Sequence, residues 1–166
     1  MVNDVWGFRQ DRDMARVVAQ AGIPCCLMHN RMDPVYENLL DEVCADLMVS
    51  VRIAREAGIP DENILLDPGI GFGKTREQNL LLLRHLDRIR ALGFPVLLGT
   101  SRKSVIGMTL QLPVEERLAG TLATTVLGIS MGADVIRVHD VRENVQACRM
   151  AEAILHAGQA GKESWI

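Results

Sequence analysis

Ile64-Leu65-Leu66-Asp67-Pro68-Gly69-Ile70-Gly71-Phe72-Gly73-Lys74-Thr75 is the stretch whose reading decides the fold. Ile64 to Leu66 are apolar at successive positions and read as a short buried strand. Asp67 sits where that strand stops. Glycines at 69, 71 and 73 let the backbone turn tightly and lie close to a ligand. Thr75 with Gln78 fits a capping box, so a helix begins there. Strand, carboxylate, glycine loop and helix together make the layout of a ligand site at the C-terminal end of a strand in an α/β protein. A plainer reading stands beside it: an ordinary strand-to-helix turn whose acid only caps the helix. Nucleotide motifs do not fit. A P-loop needs glycine where Pro68 stands, and the dinucleotide fingerprint needs a wider spacing than Gly69-x-Gly71-x-Gly73.

On both sides of this stretch, strand-like runs alternate with helix-like runs. Upstream, Val2 to Trp6 reads as a strand, Asp11 to Ala21 as a helix closed by Gly22, and Pro24 to His29 as a second strand. Asp33 and Pro34 read as a cap and first turn. They precede a long helix with Tyr36, Leu40, Val43, Leu47, Val51 and Ala54 on one face, ended by Gly58. Downstream, Leu82, Leu83, Leu86 and Ile89 mark one helix, stopped by Gly93. Pro95 to Leu98 is the fourth strand, leading into Gly99-Thr100-Ser101-Arg102-Lys103-Ser104. Pro113 opens a helix carrying Leu118, Leu122, Val126 and Ile129. Val135 to Val138 is the fifth strand. Val141, Val145, Cys148 and Ile154 mark the last helix, closed by Gly158. Strict βα alternation implies a parallel sheet. Residues 1–158 form one domain, and 159–166 form a patternless tail expected to fray.

Composition narrows the function classes. The chain has 166 residues, 48% of them hydrophobic and 23% charged, which suits one globular domain. A net charge of −3 gives no global pull toward nucleic acid or acidic membranes, and no apolar run is long enough to span a bilayer. Met1 leads directly into a strand with no secretory-leader pattern. Cys25, Cys26, Cys44 and Cys148 form no C-x-x-C pair and read as buried hydrophobes in a reducing cytoplasm, not as metal ligands.

Because every strand runs the same way, the polar residues at strand ends share one rim. They are Asn3 and Asp4, Met28-His29-Asn30, Asp67 with Phe72 and Lys74, Ser101 to Ser104, and Arg137, His139 and Asp140. A buried-type acid, Asp67, with four cations, two histidines and an aromatic suits a ligand with a hydrogen-bonding ring at one end and an anion at the other. Alternation puts Arg137 and His139 on the same side of their strand. Each residue also has a plain structural reading. His139 alone fits a core histidine, Met28 a core residue, and Lys74 a solvent-exposed side chain.

The segments Val2 to Gly7, Leu27 to Arg31, Leu65 to Leu83, Leu97 to Gly107 and Val135 to Val141 together resemble the dihydropteroate synthase family. The resemblance runs from Met1 to about Ala157. It implies a TIM (β/α)8-barrel fold and a transferase of folate biosynthesis. Such an enzyme joins 7,8-dihydropterin-CH2-pyrophosphate to p-aminobenzoate, releases pyrophosphate, and is the target of sulfonamides. By this resemblance Asn3, Val5, Met28, Asp67, Lys103 and Arg137 hold the pterin. Phe72, Lys103 and Ser104 flank p-aminobenzoate, and Arg137 and His139 face the pyrophosphate. Lys103, Arg137 and His139 are the expected catalytic residues. Magnesium is the expected cofactor, with no ligand among these residues.

The chemistry matches the residue types. A carboxylate accepts two hydrogen bonds from adjacent ring N–H groups. Cations stabilise the charge that grows on departing pyrophosphate. An aromatic amine is already neutral, so the site mainly has to position it.

The family's barrel has eight strands, and this chain supplies what resemble strands four to eight. Five strands of the usual tilt cannot close such a barrel. An incomplete barrel, inactive alone, is therefore expected to self-associate or to be complemented by an N-terminal half. Other readings stay open. One is a pterin-binding methyltransferase domain working with a corrinoid protein, against which the Ser101-Arg102-Lys103-Ser104 loop argues. Another is a non-catalytic pterin-binding half-barrel. A sugar-phosphate barrel using Lys103 as a Schiff-base lysine is more remote.

Overall fold

The computed structural model describes residues 1–158; the tail expected to fray lies outside the described residues. The strands are β1 (Val2–Asp4), β2 (Cys25–Met28), β3 (Ile64–Asp67), β4 (Leu97–Leu98) and β5 (Val135–Ile136). Between and after them come α1 (Arg12–Ala21), α2 (Leu39–Glu56), α3 (Arg76–Arg84), α4 (Leu86–Arg90), α5 (Ser104–Leu110), α6 (Leu118–Ser130) and α7 (Val141–Leu155). All pairings are parallel. Val2 faces Cys25 and Met28 faces Asp67 across β1, β2 and β3, while Leu97 faces Val135 across β4 and β5. A parallel bridge from Leu66 to Val96 joins the two groups, so the strands follow one another in chain order. Among the described residues β1 pairs only with β2, and β5 only with β4.

The core follows from the sequence pattern. Every residue of β2 is buried, as expected of a parallel strand covered on both faces. Val43, Leu47, Val51 and Ala54 of α2 present the apolar face anticipated for that helix. Gly22 closes α1 in the left-handed conformation. Thr75 and Gln78 form the capping box at the start of α3.

Several boundaries differ from the sequence reading, each for a physical reason. The first strand stops at Asp4, not Trp6, because the Asp4 carboxylate accepts the Trp6 and Phe8 N–H groups at 2.8 and 3.3 Å. That turn drives Phe8 to a φ of 62° with its ring fully buried. Asp33 and Pro34 do not start α2. Asn38 caps it, and Glu42 reaches back to the Glu37 and Asn38 N–H groups at 2.7 and 2.9 Å. Tyr36 therefore precedes the helix and donates its hydroxyl to Gly73 O at 3.0 Å. The single helix expected over 82–89 breaks at His85 into α3 and α4. Pro113 opens only a short 3-10 turn, Val114–Glu116, before α6.

The faces of α6 and α7 are the largest correction. Thr121, Thr125 and Gly128 are the buried residues of α6, and Asn144 and Ala151 those of α7. The Thr125 hydroxyl donates to Asn144 Oδ1 at 2.8 Å, so this packing is sealed by a polar pair. A side chain at Gly128 would strike Leu98, with its Cβ 2.3 Å from Cδ2. Val126, Leu127, Val141, Val145 and Ile154 stay exposed. Cys25 and Cys26 are buried free thiols, but Cys44 and Cys148 are only partly covered, contrary to the expectation for all four. No helix among the described residues is long and apolar enough to cross a membrane.

Candidate ligand-binding site

The loops that follow the parallel strands share one rim, and Asp67 lies buried on it at 1% exposure. Its Oδ1 accepts the Gly69 N–H at 2.8 Å, and its Oδ2 accepts Arg137 Nη2 at 3.0 Å. Burial pushes the Asp67 pKa up, against the Gly69 N–H and the charges of Arg137 and Lys103. Arg137 follows β5, anchored by its N–H to Leu98 O at 2.9 Å. Its side chain crosses the β4 end because Gly99 carries none; a Cβ there would stand 2.5 Å from Nη2. The other guanidinium nitrogen donates to Asn3 Oδ1. Asn3, Asp67 and Arg137, chosen from three separated segments, thus meet at one point.

A second group forms beside the first. Lys103 stands at the N-cap of α5, donates Nζ to Ile70 O, and places Nζ 4.7 Å from the Phe72 ring centroid. Burial lowers the Lys103 pKa to about 8, opposed by Asp67 and assisted by Arg137. Ser104 opens α5 and is exposed. His139 joins neither group. Its Nδ1 lies 2.9 Å from Ser101 Oγ, which also accepts the His139 N–H at 3.2 Å. The Ser101 hydroxyl hydrogen is then left for Nδ1. Met28 is buried opposite Asp67, whereas Val5 is exposed in the turn after β1.

The other two rim cations are also engaged. Arg102, at a φ of 57°, forks onto Asp140 with Nε–Oδ2 at 3.0 Å. Lys74, expected to face solvent, folds inward: Nζ reaches His29 Nδ1 at 2.9 Å, Gly69 O at 3.1 Å and Phe72 O at 2.9 Å. Burial brings its pKa down to about 7. Sequence reading also missed Asp46, which holds His29 from below, and Asn79, whose Oδ1 accepts the Gly71 N–H at 2.7 Å. Asn79 occupies the inner face of α3, where periodicity offers a signal; Asp46 on α2 offers none. A cavity of about 660 Å³ opens on the same rim between the loops after β1 and β2. Its Arg9 and Arg31 are tied to Asp46 at 3.0 and 2.8 Å. Among the described residues no cluster of three or more His, Cys, Asp or Glu could hold a metal ion.

A parallel α/β protein with a buried carboxylate, a forked guanidinium and a sheltered lysine at its strand ends is of the barrel class that binds small polar ligands on that rim. Its relatives give the class a family. The pattern described as "Pterin binding enzyme" matches residues 1–139. The chain belongs to the pterin binding enzyme family.

It is 57% identical over 156 residues to the dihydropteroate synthase of Clostridium beijerinckii, covering 93% of this chain and 58% of that protein. To the Bacillus subtilis dihydropteroate synthase it is 49% identical, covering 95% and 55%. Among solved structures, dihydropteroate synthase from Clostridium difficile in the presence of pteroic acid superposes with a TM-score of 0.91 at 50% identity, covering 93% of this chain and 59% of that one. The Yersinia pestis enzyme in complex with a sulfonamide drug gives 0.89 at 35% identity, covering 93% and 58%. The resemblance to dihydropteroate synthase and its TIM-barrel family therefore holds. The chain spans a little over half the length of the curated relatives it matches.

Proposed function

We propose that this chain forms the pterin- and p-aminobenzoate-binding part of a dihydropteroate synthase. The observation that carries the proposal is Asp67, a buried carboxylate at a strand end whose Oδ2 already binds a guanidinium. A pterin ring presents the same pair of N–H donors, since its amino-pyrimidinone is a cyclic guanidine. Asn3 and Asp67 hydrogen-bond the ring, with Val5 and Met28 beside it. Lys103 bridges ring and amine substrate, and Phe72 and Ser104 flank p-aminobenzoate. The amine nitrogen attacks the pterin methylene, a C–N bond forms, the C–O bond breaks with its electron pair leaving on pyrophosphate, and the new C–N nitrogen then gives up one proton to water. Arg137 and His139 take up the developing charge. A lysine lowered toward pH 8 stays mostly protonated at neutral pH, so Lys103 acts as a donor and charge.

Magnesium would add charge at the pyrophosphate. The described residues offer no cluster for it, so no step here is assigned to the metal. In this proposal the chain binds ligand but needs further βα units, on this or another chain, for turnover. Support comes from relatives of which it covers 58% and 55%. Its site of action is the cytoplasm, where free thiols stay reduced. Calorimetry with pteroic acid tests the binding. The chain should bind it, and an aniline-bearing sulfonamide should compete. No binding by the folded chain would remove the proposal. A coupled pyrophosphate-release assay, with and without a supplied N-terminal half, tests turnover.

A further inference from the structure

Beneath the glycine loop runs a partly buried polar chain that the reaction itself does not use. His29 follows β2 and is 1% exposed. Its Nε2 lies 3.1 Å from Asp46 Oδ2, and its Nδ1 lies 2.9 Å from Lys74 Nζ. An ammonium group has donors only, so Nδ1 must accept and Nε2 must carry the ring hydrogen. While Lys74 carries its charge the polarity is fixed: Lys74 donates to His29, and His29 donates to Asp46. Arg9 and Arg31 hold the far end of the chain at Asp46.

The two remaining Lys74 hydrogens go to Gly69 O and Phe72 O. All three donors are spent, and both ends of the loop are clipped together. The Phe72 N–H closes the same loop onto Gly69 O at 3.1 Å. The clip also presses Gly69 against β2, where an added Cβ would lie 1.9 Å from His29 O. What the clipped loop presents outward is the Ile70 carbonyl and the Phe72 ring, the two groups that hold the Lys103 ammonium.

We propose that Lys74 is a positioning residue: by tying Gly69 O, Phe72 O and His29 Nδ1 together it sets the place of Lys103 in the ligand site. This rests on the pterin and p-aminobenzoate reading above, but its first test does not. Lys74 acts through the loop, so removing its donors should loosen the loop while leaving the flanking β3 and α3 intact.

The test uses the whole chain carrying Lys74→Met. Hydrogen exchange should show the Gly71 and Phe72 amides losing at least about tenfold protection, with β3 and α3 unchanged. Pteroic acid affinity should fall about tenfold in the otherwise unaltered chain, yet less than about twofold in a Lys103→Met background, because the effect passes through Lys103. A merely structural lysine would weaken binding equally in both backgrounds. Equal weakening, or unchanged loop exchange, overturns the proposal. Should the unaltered chain bind no pteroic acid, the function reading fails alone and loop exchange still decides. Should Lys74→Met not fold, His29→Gln breaks the same chain one link away. It must then show the same localised loss of protection, and unchanged exchange there overturns the proposal.

Discussion

Asp67 binds two donors in the free chain, so its replacement has a directional effect. Asp67→Asn trades one acceptor oxygen for a donor beside Arg137 and the incoming ring. An unpaired buried polar group costs about 1–3 kcal/mol, so pteroic acid affinity should fall about tenfold or more. Calorimetry on the folded variant checks this. His29 makes a prediction in pH. Burial, with Lys74 next to it, lowers its pKa from 6.5 to about 3. Between these values the unfolded chain binds more protons than the native one, so stability is present above pH 6.5 and drains away as pH falls toward 3. Lys74, lowered from 10.5 to about 7, acts in the same direction over the range between those values. Urea unfolding from pH 6.5 down to 4 should give a shallower slope for His29→Gln than for the natural chain. Asp67 was legible because strand ends in parallel sheets make sites and three glycines advertise a close backbone. Lys74 was not. A lysine carries no sequence mark of burial, and its partner His29 is brought to it only by the register that sets β2 against β3.

At the scale of elements, two glycine and cap positions separate fold from site. Gly99 ends β4 where the Arg137 guanidinium passes, and its φ is not positive. Gly99→Ala should therefore push aside only the flexible end of Arg137. Stability should change by no more than about 0.5 kcal/mol, while pteroic acid binding weakens severalfold. Thr75→Ala removes one half of the α3 capping box and should cost about 1 kcal/mol by urea unfolding, with the helix retained. Alternation of strands and helices was plain in the chain because apolar runs of both faces and glycine stops recur. The inner faces of α6 and α7 were hidden. Periodic residues such as Val126, Val141 and Val145 point outward, while Thr121, Thr125 and Asn144 are buried, Thr125 and Asn144 through a hydrogen bond between groups that hydropathy counts as polar.

Over the whole molecule, those outward residues leave an apolar surface. Val126, Leu127, Val141, Met150 and Ile154 are between 39% and 63% exposed on the two helices. The strand series is also open at β1 and β5 among the described residues. Apolar surface and unpaired strand edges both favour association. Light scattering over a dilution series should show mass rising with concentration. Charged substitutions at Leu127 and Ile154 together should reduce it without altering helix content. A concentration-independent monomer would refute this.

The hold of Arg137 on Asp67 has a consequence at the bench. The free carboxylate is satisfied by a guanidinium, and guanidinium chloride supplies that ion at high concentration. At low concentration it would act as a ligand of the native chain before it acts as a denaturant. Stability extrapolated from guanidinium chloride should then disagree with the value from urea in the natural chain. In Asp67→Asn the two should converge.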